Sequence, residues 1–198
     1  MQGIVSILVT LPIILFALTV HEYAHGMVAN GLGDPTARLQ GRLTLNPLAH
    51  LDVIGTLMLI VTQRFGWAKP VPINPAYFRD WRKGIMLVGL AGPLANVTLA
   101  FIAALPLRFG IPLAPAIRFL LEMTVYINLG LAAFNLIPLP PLDGSRVVMG
   151  LLRGRYSYSY AQLEAYGPFI LMLLILTGAT GYIIMPIWFL LRRLVLGW

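Results

Sequence analysis

The sequence predicts an all-α integral membrane protein with about five transmembrane helices and one re-entrant or interfacial excursion. Of its 198 residues, 59% are hydrophobic and only 11% are charged, and the mean hydropathy is +0.83. These values are typical of chains whose helices are apolar on most faces. The length suits one membrane-embedded domain, which we expect to cover residues 1–198.

Five apolar stretches approach the roughly 20 residues that a helix needs to cross a bilayer, although the last two are short. They lie at residues 4–30, 84–107, 117–139, 163–178 and 181–196. The first three belong to a predicted core of about residues 4–153. The last two form a C-terminal helical pair at about residues 163–197, interpreted as scaffold or, alternatively, as a gate for substrate.

A sixth apolar stretch, Val53–Thr62, has only ten residues and is too short to cross as a helix. It lies within a long segment, residues 31–83, which we call the excursion. Residues 36–45 alternate as short paired β-strands do. Prolines at positions 70, 72 and 75 argue against regular helix in the rest.

The basic residues predict the orientation in the membrane. The chain carries 14 Lys and Arg against 7 Asp and Glu. It shows no basic face of a soluble domain, so we expect no nucleic-acid partner. If Val53–Thr62 does not cross, the basic residues divide 12 to 2 between the two sides; if it crosses, the division is 10 to 4. Because basic loops stay inside, the first arrangement is favoured, with the N-terminus outside and the C-terminus cytoplasmic. It describes a multi-pass protein of a cell membrane, most simply a prokaryotic cytoplasmic membrane.

Ionisable residues inside the first apolar stretch indicate a functional site, because charge is costly in hydrocarbon. His21, Glu22 and His25 follow the pattern H-E-x-x-H. On a helix, positions i and i+4 share a face, so both imidazoles can bind one zinc ion while Glu22 acts as a base toward water. The chain has no cysteine, so any other metal ligand is His, Asp or Glu.

A zinc site with two histidines needs a third protein ligand, usually a carboxylate. Most other acidic residues lie in loops or near span ends, where a solvated charge is a sufficient explanation. Glu122 can pair with Arg118 one helical turn away. Asp143 is different, because it follows a span that three prolines interrupt at membrane depth.

Three motifs together resemble the site-2 protease family of intramembrane zinc metalloproteases. They are H-E-x-x-H at residues 21–25, G-P-x-x-N at 92–96 and N-x-x-P-x-x-x-L-D-G at 135–144. The segments 46–52 and 66–72 resemble a compact prokaryotic branch without PDZ or CBS domains. The resemblance covers about two-thirds of the chain.

The resemblance implies a role for each matching residue. It implies that His21, His25 and Asp143 bind one Zn²⁺ and that Glu22 activates the water. Asn135 and Asn96 fall on positions expected to hydrogen-bond the substrate backbone or the oxyanion. His50 as a fourth ligand would fill the site, so we favour an interfacial or hydrogen-bonding role for it.

The ligands also constrain the topology. His25 lies toward the end of the first span and Asp143 just after the span at 117–139. Both must reach one ion, so an even number of crossings separates them. The spans at 84–107 and 117–139 already supply two, and Val53–Thr62 should therefore turn back.

The predicted activity is hydrolysis of peptide bonds in or near transmembrane segments of other membrane proteins. Two alternatives remain: a non-proteolytic relative that holds zinc, and a metal-ion transporter. Glu22 argues against the first, and the clustering of intramembrane polar residues at one depth argues against the second. The expected partners are transmembrane substrates and the lipid bilayer; the sequence leaves the oligomeric state, the substrate and the trigger open.

Overall fold

A computed structural model describes residues 2–62 and 67–197, and the described chain is mostly helical. Arg64, which the charge argument places in the excursion, lies outside the described residues. Nine helices occur within these ranges: α1 Gln2–Gly31, α2 Thr36–Leu39, α3 Val53–Thr62, α4 Trp81–Arg108, α5 Pro115–Asn135, α6 Asp143–Leu151, α7 Arg155–Ala161, α8 Leu163–Leu176 and α9 Ala179–Leu196. Short 3₁₀ turns cover Pro47–His50 and Pro75–Tyr77.

Four helical segments in the described part of the chain are long and apolar enough to cross a membrane. They are Val9–Gly31, Trp81–Arg108, Pro115–Asn135 and Ala179–Leu196. The pair α7 and α8 is bent by 51° and makes a fifth span only if the two helices count as one. Alone, α8 has 14 residues, or about 21 Å of helix, which is short for a bilayer. The structure therefore supports four spans directly, not the five predicted.

The central helix α4 packs against α1, α5, α6 and α9. Its contact with α5 and α9 is built largely from alanine, including Ala100, Ala104 and Ala132, each fully buried. Small side chains let helix backbones approach closely in a membrane, where van der Waals contact drives association. This packing brings α1, α5 and α6 together against α4, with α1 and α5 also in contact, and thereby sets the positions of the site residues.

The predicted β-strands at residues 36–45 are wrong. The described residues contain no strand, only one isolated antiparallel bridge between Leu51 and Ala68. Residues 36–39 of this stretch instead form the helical turn α2. The Asp34 carboxylate starts that turn, because it accepts hydrogen bonds from the Thr36 backbone N–H and hydroxyl. Gly41, with φ of +65°, follows it in a conformation that favours glycine.

The short helix α3 occupies the stretch for which a re-entrant or interfacial element was predicted. Its ten residues extend about 15 Å, half the thickness of a hydrocarbon core. Val53, Ile54 and Val61 expose most of their surface. Gly55 lies against Trp67, since a Cβ at Gly55 would be 2.2 Å from the Trp67 carbonyl oxygen.

Candidate metal centre and active site

Helix α1 presents His21 and His25 on one face, as the H-E-x-x-H spacing predicts. Both side chains are buried. Their Nε2 atoms lie 3.0 Å apart, and the two rings meet edge to face with centroids 4.6 Å apart. The two imidazoles therefore point at a common position.

Asp143 completes a three-residue group with these histidines. Its Oδ2 atom lies 3.0 Å from Nε2 of His21 and 3.2 Å from Nε2 of His25. The carboxylate belongs to the first turn of α6, directly after the proline-interrupted segment. The structure thus brings together side chains 118 residues apart in the chain, which the sequence assigns to one site.

The other nitrogen of each ring has a hydrogen-bond acceptor. His21 Nδ1 lies 2.7 Å from Asn96 Oδ1, and His25 Nδ1 lies 2.6 Å from the Val88 carbonyl oxygen. A carbonyl oxygen accepts only, so in the neutral ring each Nδ1 carries the proton and each Nε2 keeps its lone pair. Carbonyl partners of this kind fix the orientation of metal-binding imidazoles.

The donor set fits a zinc ion. Two Nε2 lone pairs and a carboxylate oxygen meet in a buried position with their ligand atoms within 4.8 Å of one another. Acceptors this close repel unless a cation or a proton lies between them. Tetrahedral zinc with bonds of about 2.0–2.1 Å separates its ligand atoms by roughly 3.3 Å, and the observed separations are 3.0–3.2 Å.

Glycine at position 92 allows this group to form against α4. A Cβ atom there would lie 2.5 Å from Nε2 of both His21 and His25. Any side chain would therefore occupy the space of the ligand atoms. Gly92 is the first residue of the G-P-x-x-N motif, which the sequence singled out without a reason for the glycine.

Glu22 lies beside the group and faces the same cavity. Its Oε2 accepts a hydrogen bond of 2.8 Å from the Val71 backbone N–H. Pro70 and Pro72 flank this donor and have no N–H of their own. One carboxylate oxygen of Glu22 is thus anchored by the excursion, and the other is left to the cavity.

A cavity of about 780 Å³ adjoins the metal-binding group. Apolar residues of α1, α5, α8 and α9 form much of its wall, including Leu18, Phe134 and Ile184. Its polar lining comes from His21, Glu22, His25, His50, Asn135, Asp143 and Arg146, among others. An apolar cavity with a few convergent polar groups is typical of a substrate site.

The two asparagines predicted to contact substrate occupy different positions. Asn135 lines the cavity and donates one amide hydrogen to the Leu131 carbonyl oxygen, 3.0 Å away. Asn96 is fully buried. It donates to the Ala17 carbonyl oxygen and to Asn128 Oδ1, and these bonds use both of its amide hydrogens. Asn96 therefore lacks a donor for a substrate oxygen.

His50 lines the cavity but is not a member of the metal-binding group. Its ring is buried, and Nε2 lies 2.8 Å from the Thr44 carbonyl oxygen. This position agrees with the hydrogen-bonding role favoured from the sequence.

Sequence reasoning missed two residues that support the site. Asn128, 1% exposed, contacts Asn96; a lone amide in an apolar span seven residues before Asn135 was the available signal. Asp34 was interpreted as a solvated loop charge. It is fully buried and accepts hydrogen bonds from Thr36 and from the Asn74 backbone N–H, the latter at 2.7 Å.

The Asp34 contacts have an electrostatic consequence. Burial raises the pKa of this carboxyl group, but hydrogen bonds from the Thr36 side chain and from the Asn74 and Thr36 backbone N–H groups outweigh that effect. The pKa of Asp34 therefore lies below its ordinary value. Its charged form clamps the end of α1 to the segment that leads from Val71 to Asn74.

Comparisons with known proteins identify the family. The model of peptidase family M50 matches residues 112–177. YwhC of Bacillus subtilis, named as a candidate zinc metalloprotease, is 39% identical over 181 residues, which cover 87% of this chain and 82% of the relative. Rip2 proteins of two mycobacterial species carry the same description. The one from Mycolicibacterium smegmatis is 26% identical, covering 83% of this chain and 65% of its own. The one from Mycobacterium tuberculosis strain H37Rv is 28% identical, covering 82% and 64%. No solved structure matches the chain. The extent and identity of the YwhC match show that this chain belongs to peptidase family M50.

Proposed function

We propose that this protein is an intramembrane zinc metalloprotease that hydrolyses peptide bonds in or near transmembrane segments of other proteins. One observation carries the proposal. His21, His25 and Asp143 converge within 3.0–3.2 Å on a cavity that Glu22 also lines. Membership of family M50 and the zinc metalloprotease relatives support the same activity.

His21, His25 and Asp143 would hold one zinc ion through Nε2, Nε2 and a carboxylate oxygen. When bound, zinc supplies Lewis-acid polarisation of the scissile carbonyl and lowers the pKa of water toward neutrality. Three protein ligands leave a coordination position open. The Asn96 and Val88 oxygens keep both Nδ1 atoms protonated, so the rings can offer their lone pairs without moving a proton.

Glu22 acts as the general base. It takes a proton from the attacking water and delivers it to the leaving amine. The Val71 N–H holds one of its oxygens, which fixes the direction of the other. A base held in this way loses little rotational freedom in the transition state.

Asn135 stabilises the developing negative charge on the substrate carbonyl oxygen. Its side chain lines the cavity, and one amide hydrogen remains after the bond to Leu131. Amide donors aimed at such an oxygen contribute strongly to catalysis. Asn96 instead positions His21.

The remaining features concern the membrane. If α7 and α8 form one bent span, the chain crosses five times, with the N-terminus outside and the C-terminus cytoplasmic. The charge division of 12 to 2 supports this orientation. The convergence of His25 and Asp143 across two intervening spans supports a Val53–Thr62 segment that does not cross. The site then lies toward the cytoplasmic side, where the excursion lets water in.

The chain forms one domain of residues 1–198. Supporting this, Leu191, Val195 and Leu196 of α9 belong to the same buried cluster as residues of α4 and α5. Helix α9 therefore packs on the core, and Leu171 of α8 packs on Ile137 and Leu142. Ile175 and Ile184 of α8 and α9 also line the cavity, consistent with a gating role toward substrate.

Cleavage of reconstituted single-span peptides tests the function. We expect the wild-type chain in lipid vesicles to cut such peptides, a chelator to stop cutting and added zinc to restore it. Glu22→Gln should keep stoichiometric zinc and lose proteolysis by at least about 10²-fold, since general-base contributions are of this size. Zinc binding without cleavage of any transmembrane peptide would favour a non-proteolytic relative, and zinc uptake into vesicles would favour a transporter.

A further inference from the structure

We propose that Asn128 is a positioning residue that acts through Asn96 to hold His21 in the tautomer that binds zinc. The inference rests on the proposed zinc function and extends it to a residue outside the cavity wall. Asn128 lies in α5, Asn96 in α4 and His21 in α1, so three helices share one chain of hydrogen bonds. All three residues are at most 4% exposed.

The donors and acceptors in this series of hydrogen bonds are ordered in one direction, and the order is set by a backbone carbonyl group. The Thr124 carbonyl oxygen can only accept, and Asn128 Nδ2 donates to it across 2.9 Å. This contact turns the Asn128 Oδ1 atom toward Asn96. Asn128 therefore presents an acceptor to its neighbour and not a donor.

The orientation of the Asn96 amide follows from the same donor and acceptor rule. Asn96 Nδ2 donates to Asn128 Oδ1 at 2.9 Å and to the Ala17 carbonyl oxygen at 3.2 Å. With both hydrogens directed at these acceptors, Asn96 Oδ1 faces His21 Nδ1 at 2.7 Å. The oxygen requires a hydrogen on Nδ1, and a neutral imidazole has only one N–H, so Nε2 is left as the ligand atom.

The alternative arrangement would oppose metal binding. If the Asn96 amide were reversed, its NH₂ group would face Nδ1 and favour the tautomer with the proton on Nε2. That proton would point at His25 Nε2 and Asp143 Oδ2, where the ion binds. A buried reversed amide would also face the Ala17 carbonyl oxygen with its own oxygen, and the low dielectric makes such a mismatch costly. Asn128 thus helps to select one amide orientation out of two.

Asn135 supplies a matched control within the same helix. It lies seven residues after Asn128 and makes the same type of bond, from Nδ2 to the carbonyl oxygen four residues earlier. Unlike Asn128, Asn135 is not a hydrogen-bond partner of Asn96. Replacing either amide with leucine removes one side-chain-to-backbone hydrogen bond from α5, but only Asn128→Leu also removes the hydrogen bond that leads through Asn96 to His21.

Zinc affinity of the full-length protein in nanodiscs is the first measurement. We expect Asn128→Leu to weaken zinc binding about tenfold, the lower end of the range for outer-shell partners of metal ligands. Asn128→Asp should restore most of the affinity, because a buried neutral carboxyl group can donate to Thr124 and accept from Asn96. Asn135→Leu should bind zinc as the wild type does. These affinities do not depend on proteolysis, so they remain informative if the proposed protease activity fails.

The second measurement reports the tautomer directly. The chain has three histidines, so ¹⁵N-histidine labelling gives a small set of imidazole signals in metal-free protein. His21 should show a protonated Nδ1 in the wild type and in Asn128→Asp, and a mixture of tautomers in Asn128→Leu. A folded Asn128→Leu protein with wild-type zinc affinity and an unchanged His21 signal would overturn the proposal. So would an equal loss of affinity in Asn135→Leu, which would indicate general packing. If Asn128→Leu does not fold, Asn128→Ala decides, because it also removes both hydrogen bonds: a tenfold loss of affinity with a mixture of His21 tautomers supports the proposal, and wild-type affinity with an unchanged His21 signal refutes it.

Discussion

The helices that carry the metal-binding group and the excursion at residues 31–83 place their polar groups in different ways. In α1, α4 and α5, side chains such as His21, Asn96 and Asn128 satisfy one another in a buried network. The backbone N–H groups of the excursion instead donate hydrogen bonds to carboxylates. Val71 donates to Glu22 of α1, and Asn74 donates to Asp34. The first region builds the ligand geometry, and the second region orients the base beside it.

The difference follows from the surroundings of each region. A span has its backbone N–H groups bonded within the helix, so side chains supply the donors that join helices, as His25 and Asn96 do toward the Val88 and Ala17 carbonyl oxygens. The helices of the excursion are short, and the backbone groups between them need partners from elsewhere. A disturbance in the helices should therefore change metal binding, and one in the excursion should change mainly stability and base orientation. Four substitutions test this division.

Asp143→Ala should have the largest effect. It removes one of three ligands, so we expect zinc occupancy to fall below detection at micromolar zinc and proteolysis to fall at least about 10³-fold. Metal analysis of purified protein and peptide cleavage measure the two losses. Glu164→Ala, an exposed carboxylate of α8, is the control and should alter neither. Full zinc occupancy in Asp143→Ala would refute the ligand assignment.

Gly92→Ala tests the close approach of α4 to the histidines. The new methyl group would lie 2.5 Å from both Nε2 atoms, so we expect zinc affinity to fall about 10- to 100-fold, as for disturbed ligand geometry elsewhere. Gly130→Ala in α5 is the matched control, because nothing lies within 4 Å of its Cβ position. Competitive titration with a zinc chelator measures both. Equal affinities in the two variants would contradict the proposed role of Gly92.

Gly55→Ala makes the corresponding disturbance in the excursion. Its Cβ would lie 2.2 Å from the Trp67 carbonyl oxygen, and overpacking of this kind typically destabilises by about 1–3 kcal/mol. We expect a lower thermal unfolding midpoint with zinc affinity unchanged. Gly31→Ala, whose Cβ position is open, should unfold at or above the wild-type temperature. A loss of zinc affinity in Gly55→Ala would show that the two regions are not separable.

Asp34→Asn should have the smallest effect, about 1 kcal/mol at neutral pH for weakened hydrogen bonds. The pKa of Asp34 is lowered in the folded protein, so its contribution to stability is complete above the ordinary carboxyl pKa of about 3.9. That contribution is lost as the pH falls through the lower, folded-state pKa. Unfolding at pH 7 and pH 3 should show a smaller acid loss in Asp34→Asn than in the wild type. An identical loss of stability at pH 3 in both proteins would show that Asp34 does not contribute to the acid sensitivity.

Much of the helical core could be predicted because its signals are local. Apolar stretches located the spans at 84–107 and 117–139, and α4 and α5 occupy them. The structure of the excursion was harder to predict. Alternation at residues 36–45 indicated strands, but the Asp34 carboxylate starts a helical turn there, and a pattern of hydrophobicity does not contain that bond.

The sequence by itself determined which side chains are the candidate zinc ligands. H-E-x-x-H, the later Asp143 and the absence of cysteine predicted two imidazoles and a carboxylate as the zinc ligands, and spacing predicted both imidazoles on one helix face. Only the tertiary structure decided which groups contact these side chains: Asn96 contacts His21, Asn128 contacts Asn96, the Val71 N–H contacts Glu22, and Gly92 lies against both histidines. The reason is physical. Ligand identity follows from residue type and local spacing, whereas hydrogen-bond direction depends on how helices far apart in the chain pack together.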